Sequence, residues 1–187
     1  MKILDVGCGT AKMPGAIGID YNARSAADII HNLYHYPWPL DDNTFDQIVC
    51  NHIVEHVANL IRFIEEVHRV GKPGALVEIL TPHFSNRYSY TDPTHLRHLS
   101  LFAFDYFIEH PPFNPPLFSR AFETQSPLAD FYSAARFEKV RAFLRFGRPF
   151  QLTGIQWLAN RFPYFYEAYL AFTFPARDLY FTLRVVK

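Results

Sequence analysis

The stretch that decides the fold is "LDVGCGTAKMPGAIGID", residues 4–20. It predicts a buried strand over residues 3–6, a glycine turn, and a second short strand over residues 16–20. A strand, a glycine turn and a second strand that ends in an acidic residue are typical of nucleotide-binding α/β domains. Only about six residues separate Gly9 from Ala16, where such domains place a helix. The sequence therefore predicts a shortened first crossover.

The rest of the chain continues this alternation of strands and helices. Short apolar runs predict strands over residues 28–32, 45–51 and 75–82, and apolar residues at helical spacing predict a helix from about residue 57 to Gly71. Two later runs, residues 137–146 and 179–186, predict an antiparallel pair. We expect one domain over residues 1–187 with five parallel strands, helices on both faces, and insertions at about 83–130 and 147–177.

Composition and charge exclude several classes of protein. The formal net charge is zero, which argues against a nucleic-acid binder that neutralises phosphates with Lys and Arg. Residues 67–187 hold nine acidic against fourteen basic residues, which suits an anionic substrate or surface as well as a solvated face. Cys8 and Cys50 are too few for a disulfide framework. With no signal-peptide pattern and no apolar run long enough to span a bilayer, we expect a cytoplasmic protein.

The glycine turn indicates what kind of ligand the domain binds. Gly7 and Gly9 are followed by Lys12, so the third glycine of the dinucleotide fingerprint is absent, and a phosphate-binding P-loop is absent from the sequence as well. The glycine turn can still bind a nucleoside that carries no pyrophosphate, because glycine has no side chain to keep a ligand away from the backbone. At the end of the second strand, Asp20 can accept hydrogen bonds from two ribose hydroxyls.

Four stretches together resemble a known family. "LDVGCGT", "IGID", "WPLDDNTFDQIV" and "NHIVEHV" are similar to the class I S-adenosylmethionine-dependent methyltransferases, specifically the small type 11 group. "DPTHLRHLS" and "ANRFPYFYEAYLAFTFPARDLYF" extend the likeness to a bacterial branch of that group. The resemblance implies a Rossmann-like three-layer sandwich, S-adenosyl-L-methionine as cofactor, and methyl transfer as the activity.

The resemblance also implies roles for individual residues. Residues at the carboxyl ends of the strands would bind the cofactor: the methionine part by Asp5, Gly7 and Gly9, the ribose by Asp20, the adenine by Asn32 and Leu33, and the sulfonium end by Asn51 and His52. The family usually has Asp where this chain has Asn32. Each of these residues can instead serve as a turn or cap residue.

The acceptor is less well defined. We expect methyl transfer to an O or N atom of a small-molecule or carbohydrate-type acceptor, selected by residues 83–130 and 155–175. Because a His near neutral pKa can remove the proton of a hydroxyl or amine, His83 and His95 are the candidate catalytic bases. Both can also be explained as residues whose hydrogen bonds hold the segment 83–130, a predicted lid or insertion, in place.

Alternatives remain for three features. The shortened crossover is compatible with a non-catalytic S-adenosylmethionine-binding protein. The "HIVEH" segment, residues 52–56, matches a zinc pattern of some metallopeptidases, in which both histidines lie on one helix face and bind the same ion. If His52 precedes the helix, the two histidines do not share a face. We therefore expect no metal. The aromatic segment, residues 155–174, can pack in the core, roof the acceptor pocket, form a homodimer face or lie on a membrane surface.

Overall fold

The computed structural model describes residues 1–108 and 132–187. Within these residues one sheet contains seven strands, which are β1 (Ile3–Val6), β2 (Ile17–Asp20), β3 (Ile29–Ile30), β4 (Phe45–Asn51), β5 (Gly71–Pro82), β6 (Arg136–Arg145) and β7 (Asp178–Val186). Their order across the sheet is β3-β2-β1-β4-β5-β7-β6. The second half of the predicted insertion at residues 83–130, from residue 109, lies outside the described residues.

The direction of the strands confirms the predicted fold class. Strands β3, β2, β1, β4 and β5 pair in parallel, whereas β7 is antiparallel to both β5 and β6. The chain runs outward from β1 to β3 and then returns to the other side of β1 as β4. In open α/β sheets the ligand crevice lies at such a reversal, outside the carboxyl ends of the strands.

Helix α1 (Leu60–Val70) joins β4 to β5 and forms for local reasons. The side chain of Asn59 accepts the N–H of Arg62, which caps the amino end, and Gly71 ends the helix. Phe63, Ile64 and Val67 are buried in the main hydrophobic cluster. This cluster also contains Val77 of β5 and Leu183 of β7, so α1 covers one face of the sheet.

The first crossover, residues 7–16, is a tight loop and not a helix, as predicted. Asp5 accepts the N–H of Met13 at 2.7 Å, which holds the loop over the end of β1. Lys12 lies across Gly18 of β2, where an added Cβ would be 2.6 Å from the Lys12 side chain, and its ammonium contacts Asp28 at 2.7 Å. Side-chain hydrogen bonds therefore replace the packing that a helix would supply.

In the described part of the chain, the face of the sheet opposite α1 carries no helix. Residues 21–28, between β2 and β3, also form turns without a helix. On the face opposite α1, Glu78 and Arg141 are exposed and Tyr180 and Thr182 are only partly buried. The two short crossovers leave no room for a helix of the length of α1, so this face is open.

The remaining helical elements are short. They are α2 (Tyr88–Thr91), a 3₁₀ turn (Asp105–Phe107), α3 (Arg148–Leu152), α4 (Ile155–Arg161) and α5 (Pro163–Phe165), which continues as a π-helical turn (Tyr166–Leu170). Pro163 interrupts the helical run, because Phe162 has φ −133° and Pro163 begins the next helix. No helix among the described residues has both the length and the apolar character that crossing a bilayer requires.

Candidate functional site

The two glycines of the first turn serve different purposes. Both have positive φ, 68° at Gly7 and 53° at Gly9, which favours glycine. A Cβ at Gly7 would lie 2.6 Å from Cγ1 of Ile53, in the turn after β4, whereas a Cβ at Gly9 would meet nothing within 4 Å. Gly7 thus allows the ends of β1 and β4 to pack closely, whereas open space adjoins the Cα of Gly9 on the side where a side chain would lie.

Two acidic residues at the strand ends stabilise the glycine loop. The carboxylate of Asp20 accepts the N–H of Gly9 at 2.9 Å and the N–H of Asn22 at 2.8 Å. A carboxylate has about four acceptor positions, so both oxygens of Asp20 retain lone pairs for further donors. Asp5 is 4% exposed, and this burial raises its pKa although the Met13 N–H opposes the shift.

The residues expected beside adenine make local contacts. The Asn32 side chain accepts the N–H of Tyr34 at 3.0 Å, as a turn-forming Asn does. Leu33 is buried, and its carbonyl accepts the indole N–H of Trp38 at 3.2 Å. Asn51 is exposed beside Glu78 on the open face of the sheet. The structure therefore gives Asn32 and Leu33 turn and core contacts, and their adenine roles stay predictions.

His52 lies at the carboxyl end of β4 in an unusual conformation, with φ 51°. Its Nδ1 is 3.1 Å from Oε1 of Glu55, whose other oxygen accepts the hydroxyl of Thr81 at 3.0 Å. The hydrogen bond to Glu55 raises the pKa of His52, and partial burial opposes it. The His52 side chain is 49% exposed while that of Glu55 is 1% exposed. A buried carboxylate therefore orients a histidine that is open to solvent.

A cavity of about 550 Å³ adjoins His52. Its polar lining includes His52, Asn86, Asp92, His95 and Arg177. The volume falls within the usual range for small-molecule sites. These side chains offer both hydrogen-bond donors and acceptors, so the cavity suits a polar ligand.

The two predicted catalytic histidines occupy different environments. His95 lines the cavity, and its Nδ1 is 3.1 Å from the carbonyl of Ser89. His83 is fully buried, with ring nitrogens 2.7 Å from the Ser85 hydroxyl and 3.3 Å from Glu167. Both ring nitrogens of His83 therefore have protein partners in this structure, and its role as a catalytic base stays a prediction.

The "HIVEH" segment does not place its two histidines on one helix face, which the zinc pattern requires. Ile53–His56 lie in turns before α1, so His52 and His56 share no helix face. Potential ligand atoms of Glu55, His56 and His95 do lie within 4.8 Å of one another. Because both carboxylate oxygens of Glu55 accept hydrogen bonds from His52 and Thr81, we interpret the group as a hydrogen-bonded cluster. The metallopeptidase pattern is therefore not realised here.

The sequence prediction missed Glu55 and Thr81 as residues that orient His52. The available signal was the spacing of Glu55, three residues after His52 at a strand end. Thr81 comes from the neighbouring strand β5, and Cys50 of β4 pairs with Ile79 of β5, which sets the register. No local pattern reveals such a contact.

A comparison with protein families matches residues 4–79 to the model described as "Methyltransferase domain". This match confirms the resemblance to the type 11 methyltransferases over that part of the chain. It spans β1 to β5 and therefore includes the glycine loop, Asp20 and His52. A comparison with curated proteins finds no match.

Solved structures share the fold over nearly the whole chain. A SAM-dependent methyltransferase from Archaeoglobus fulgidus is 18% identical, with 98% of this chain and 85% of that chain covered and a TM-score of 0.55. One from Mesorhizobium loti is 14% identical, with 98% and 90% covered and a TM-score of 0.54. The [4+2]-cyclase SpnF is 18% identical, with 99% and 75% covered and a TM-score of 0.56. At these identities the likeness establishes the fold.

Proposed function

We propose that this protein transfers a methyl group from S-adenosylmethionine to an O or N atom of a small-molecule or carbohydrate-type acceptor, since residues 4–79 match a methyltransferase domain. The observation that carries the proposal is the arrangement of Gly9, Asp20 and His52 around the reversal of strand order. An open backbone, a carboxylate with free lone pairs and an oriented histidine meet at the edge where such sheets bind ligands.

The described residues fit the cofactor. The open space at Gly9 admits a ligand to the backbone, and Asp20, fixed by two backbone N–H groups, would accept the ribose hydroxyls. The cofactor supplies a methyl group on a positively charged sulfur, which becomes a neutral thioether when the methyl leaves. The protein's main contribution to such a displacement is alignment of the acceptor.

We assign the role of general base to His52 in place of His83. Glu55 holds Nδ1, which leaves Nε2 of a half-exposed ring available beside the cavity. Nε2 would take the proton from the acceptor oxygen or nitrogen, and Glu55 would stabilise the resulting imidazolium. In the same cavity, His95 would position the acceptor, because its ring is held by the carbonyl of Ser89.

The test is turnover with labelled S-adenosylmethionine on a panel of hydroxyl and amine acceptors. Loss of a general base reduces rates by roughly 10²–10⁴-fold, so we expect His52→Gln to lower kcat by about that factor while KM changes little. His98→Gln is the matched control, because His98 is a nearby histidine bonded to Ser89. Equal loss in both variants contradicts the assignment of His52.

A non-catalytic binding protein is the second candidate. The shortened crossover, residues 7–16, favours it. Tight binding of the cofactor without turnover on any acceptor class would support this candidate over methyl transfer.

A further inference from the structure

The aromatic segment, for which the sequence left four alternatives, lies largely on the surface. Trp157 is 68% exposed, Tyr169 63% and Phe172 77%. Leu152, Phe162 and Phe165 are exposed as well. Large exposed apolar clusters on a soluble domain usually mark an interaction site. Core packing is therefore not the main role of these side chains.

The exposed rings lie close together along the chain. Phe165 and Tyr169 belong to the two consecutive helical turns Pro163–Phe165 and Tyr166–Leu170, and Phe162 and Phe172 flank these turns. The rings of Phe165 and Tyr169 are 5.3 Å apart. Tyr166, in the second of these turns, is buried, so the helical run packs on the domain and still presents an apolar stripe outward.

The charges beside this stripe have one sign. Residues 148–177 contain Arg148, Arg161, Arg177 and a single acidic residue, Glu167. The three arginines are exposed. Glu167 turns inward, where it accepts the hydroxyl of Ser100 at 2.8 Å and contacts His83. The exposed charges in residues 148–177 are therefore all positive.

We propose that this aromatic surface, residues 148–177, binds the interface of an anionic lipid bilayer. Aromatic side chains settle at the level of the headgroups and arginines pair with lipid phosphates, which is the composition of interfacial helices. A symmetric dimer through the same surface would bring two positively charged surfaces together, and repulsion between like charges disfavours that contact. The bilayer is the partner that matches both the apolar stripe and its charge.

The proposal also narrows the acceptor, and this step rests on the proposed function. Arg177 belongs to the aromatic surface and lines the cavity beside His52. Phe172 contacts Phe84, which adjoins the ring of His83 near the end of β5. A protein bound through the aromatic surface would hold the cavity at the headgroup level. The acceptor would then be the polar head of an amphiphile.

The chain provides its own reporter for the test. It has two tryptophans, and Trp38 is 2% exposed while Trp157 is 68% exposed. In full-length Trp38→Phe, we expect the emission of Trp157 to shift to the blue with phosphatidylglycerol vesicles and to be quenched by brominated lipid. Phosphatidylcholine vesicles should give little change. If the Trp38→Phe protein does not fold, flotation of the wild type with the same vesicles gives the same comparison.

Matched variants distinguish binding through the aromatic surface from nonspecific adsorption to vesicles. The double variant Trp157→Ala/Phe172→Ala should bind anionic vesicles at least about tenfold more weakly, and Arg161→Gln should weaken the preference for anionic lipid. Tyr21→Ala, which removes a ring that is 71% exposed elsewhere, should bind as the wild type does. The proposal is overturned if the wild type ignores anionic vesicles, if the double variant binds equally well, or if a dimer shields Trp157.

Binding of S-adenosylhomocysteine is measured in parallel on all of these proteins. Normal binding without vesicle association removes only the membrane proposal. Vesicle association without binding of S-adenosylhomocysteine contradicts only the proposed function.

Discussion

The substitution Gly7→Ala tests how the ends of β1 and β4 meet. The added Cβ would lie 2.6, 2.7 and 2.9 Å from three atoms of Ile53, and overpacking of this kind costs about 1–3 kcal/mol. The φ of 68° adds about 1–2 kcal/mol for a residue with a Cβ. We therefore expect Gly7→Ala to lower the free energy of unfolding by about 2–5 kcal/mol. With a urea slope of about 2 kcal/mol/M, the midpoint would fall by roughly 1–2.5 M.

Gly9→Ala is the matched control for this prediction. Its φ of 53° carries the same conformational cost, but the added Cβ meets nothing within 4 Å, so about 1–2 kcal/mol is expected. In an Ile53→Ala background the two closest contacts of Gly7→Ala disappear and the one to Cβ remains, so its cost should shrink without vanishing. Equal midpoints for Gly7→Ala and Gly9→Ala in urea unfolding would refute the packing argument.

Three further substitutions test other parts of the structure. Glu55→Gln should lower the pKa of His52, because a neutral amide replaces the carboxylate whose hydrogen bond and charge raise that pKa. NMR titration checks this shift, and the control is His68, where burial lowers the pKa and no change is expected. Asp5→Asn should gain stability relative to the wild type as pH rises: burial raises the folded pKa of Asp5, so the wild type loses stability as the pH increases through that pKa. Urea unfolding from acid to neutral pH shows whether that gain occurs. Phe181→Ala removes a ring that is 2% exposed and should cost about 3–5 kcal/mol; a loss below about 1 kcal/mol in chemical denaturation would show that the ring is not a core residue.

Local patterns predicted most of the sheet. Strand β4 has the predicted bounds, with Phe45 and the apolar run Ile48, Val49 and Cys50 buried. Strand β3 is shorter than predicted. Asp28, the first residue of the predicted strand, precedes β3, and its carboxylate accepts hydrogen bonds from the N–H of Gly18 and the ammonium of Lys12. The open face of the sheet was missed because the family resemblance implied helices for which the crossovers have no room.

Contacts between distant residues determine the surroundings of the site residues. His83 was predicted as a catalytic base from its place after β5, and its buried ring contacts Glu167, 84 residues further along the chain. His52 was predicted beside the cofactor and not as a base, because its orientation depends on Thr81 of the neighbouring strand through Glu55. Whether the aromatic segment faces inward or outward also depends on tertiary packing, which composition does not contain.

The central claim is that the glycine loop and Asp20 form a nucleoside site. Calorimetric titration with S-adenosylhomocysteine tests it most directly. We predict binding of one ligand per chain, and a loss of affinity of at least about tenfold in Asp20→Asn, since a hydrogen bond to a charged group contributes roughly 1.5–3 kcal/mol. A folded wild-type protein that takes up no ligand at millimolar concentration, or an Asp20→Asn protein with unchanged affinity, would contradict the account.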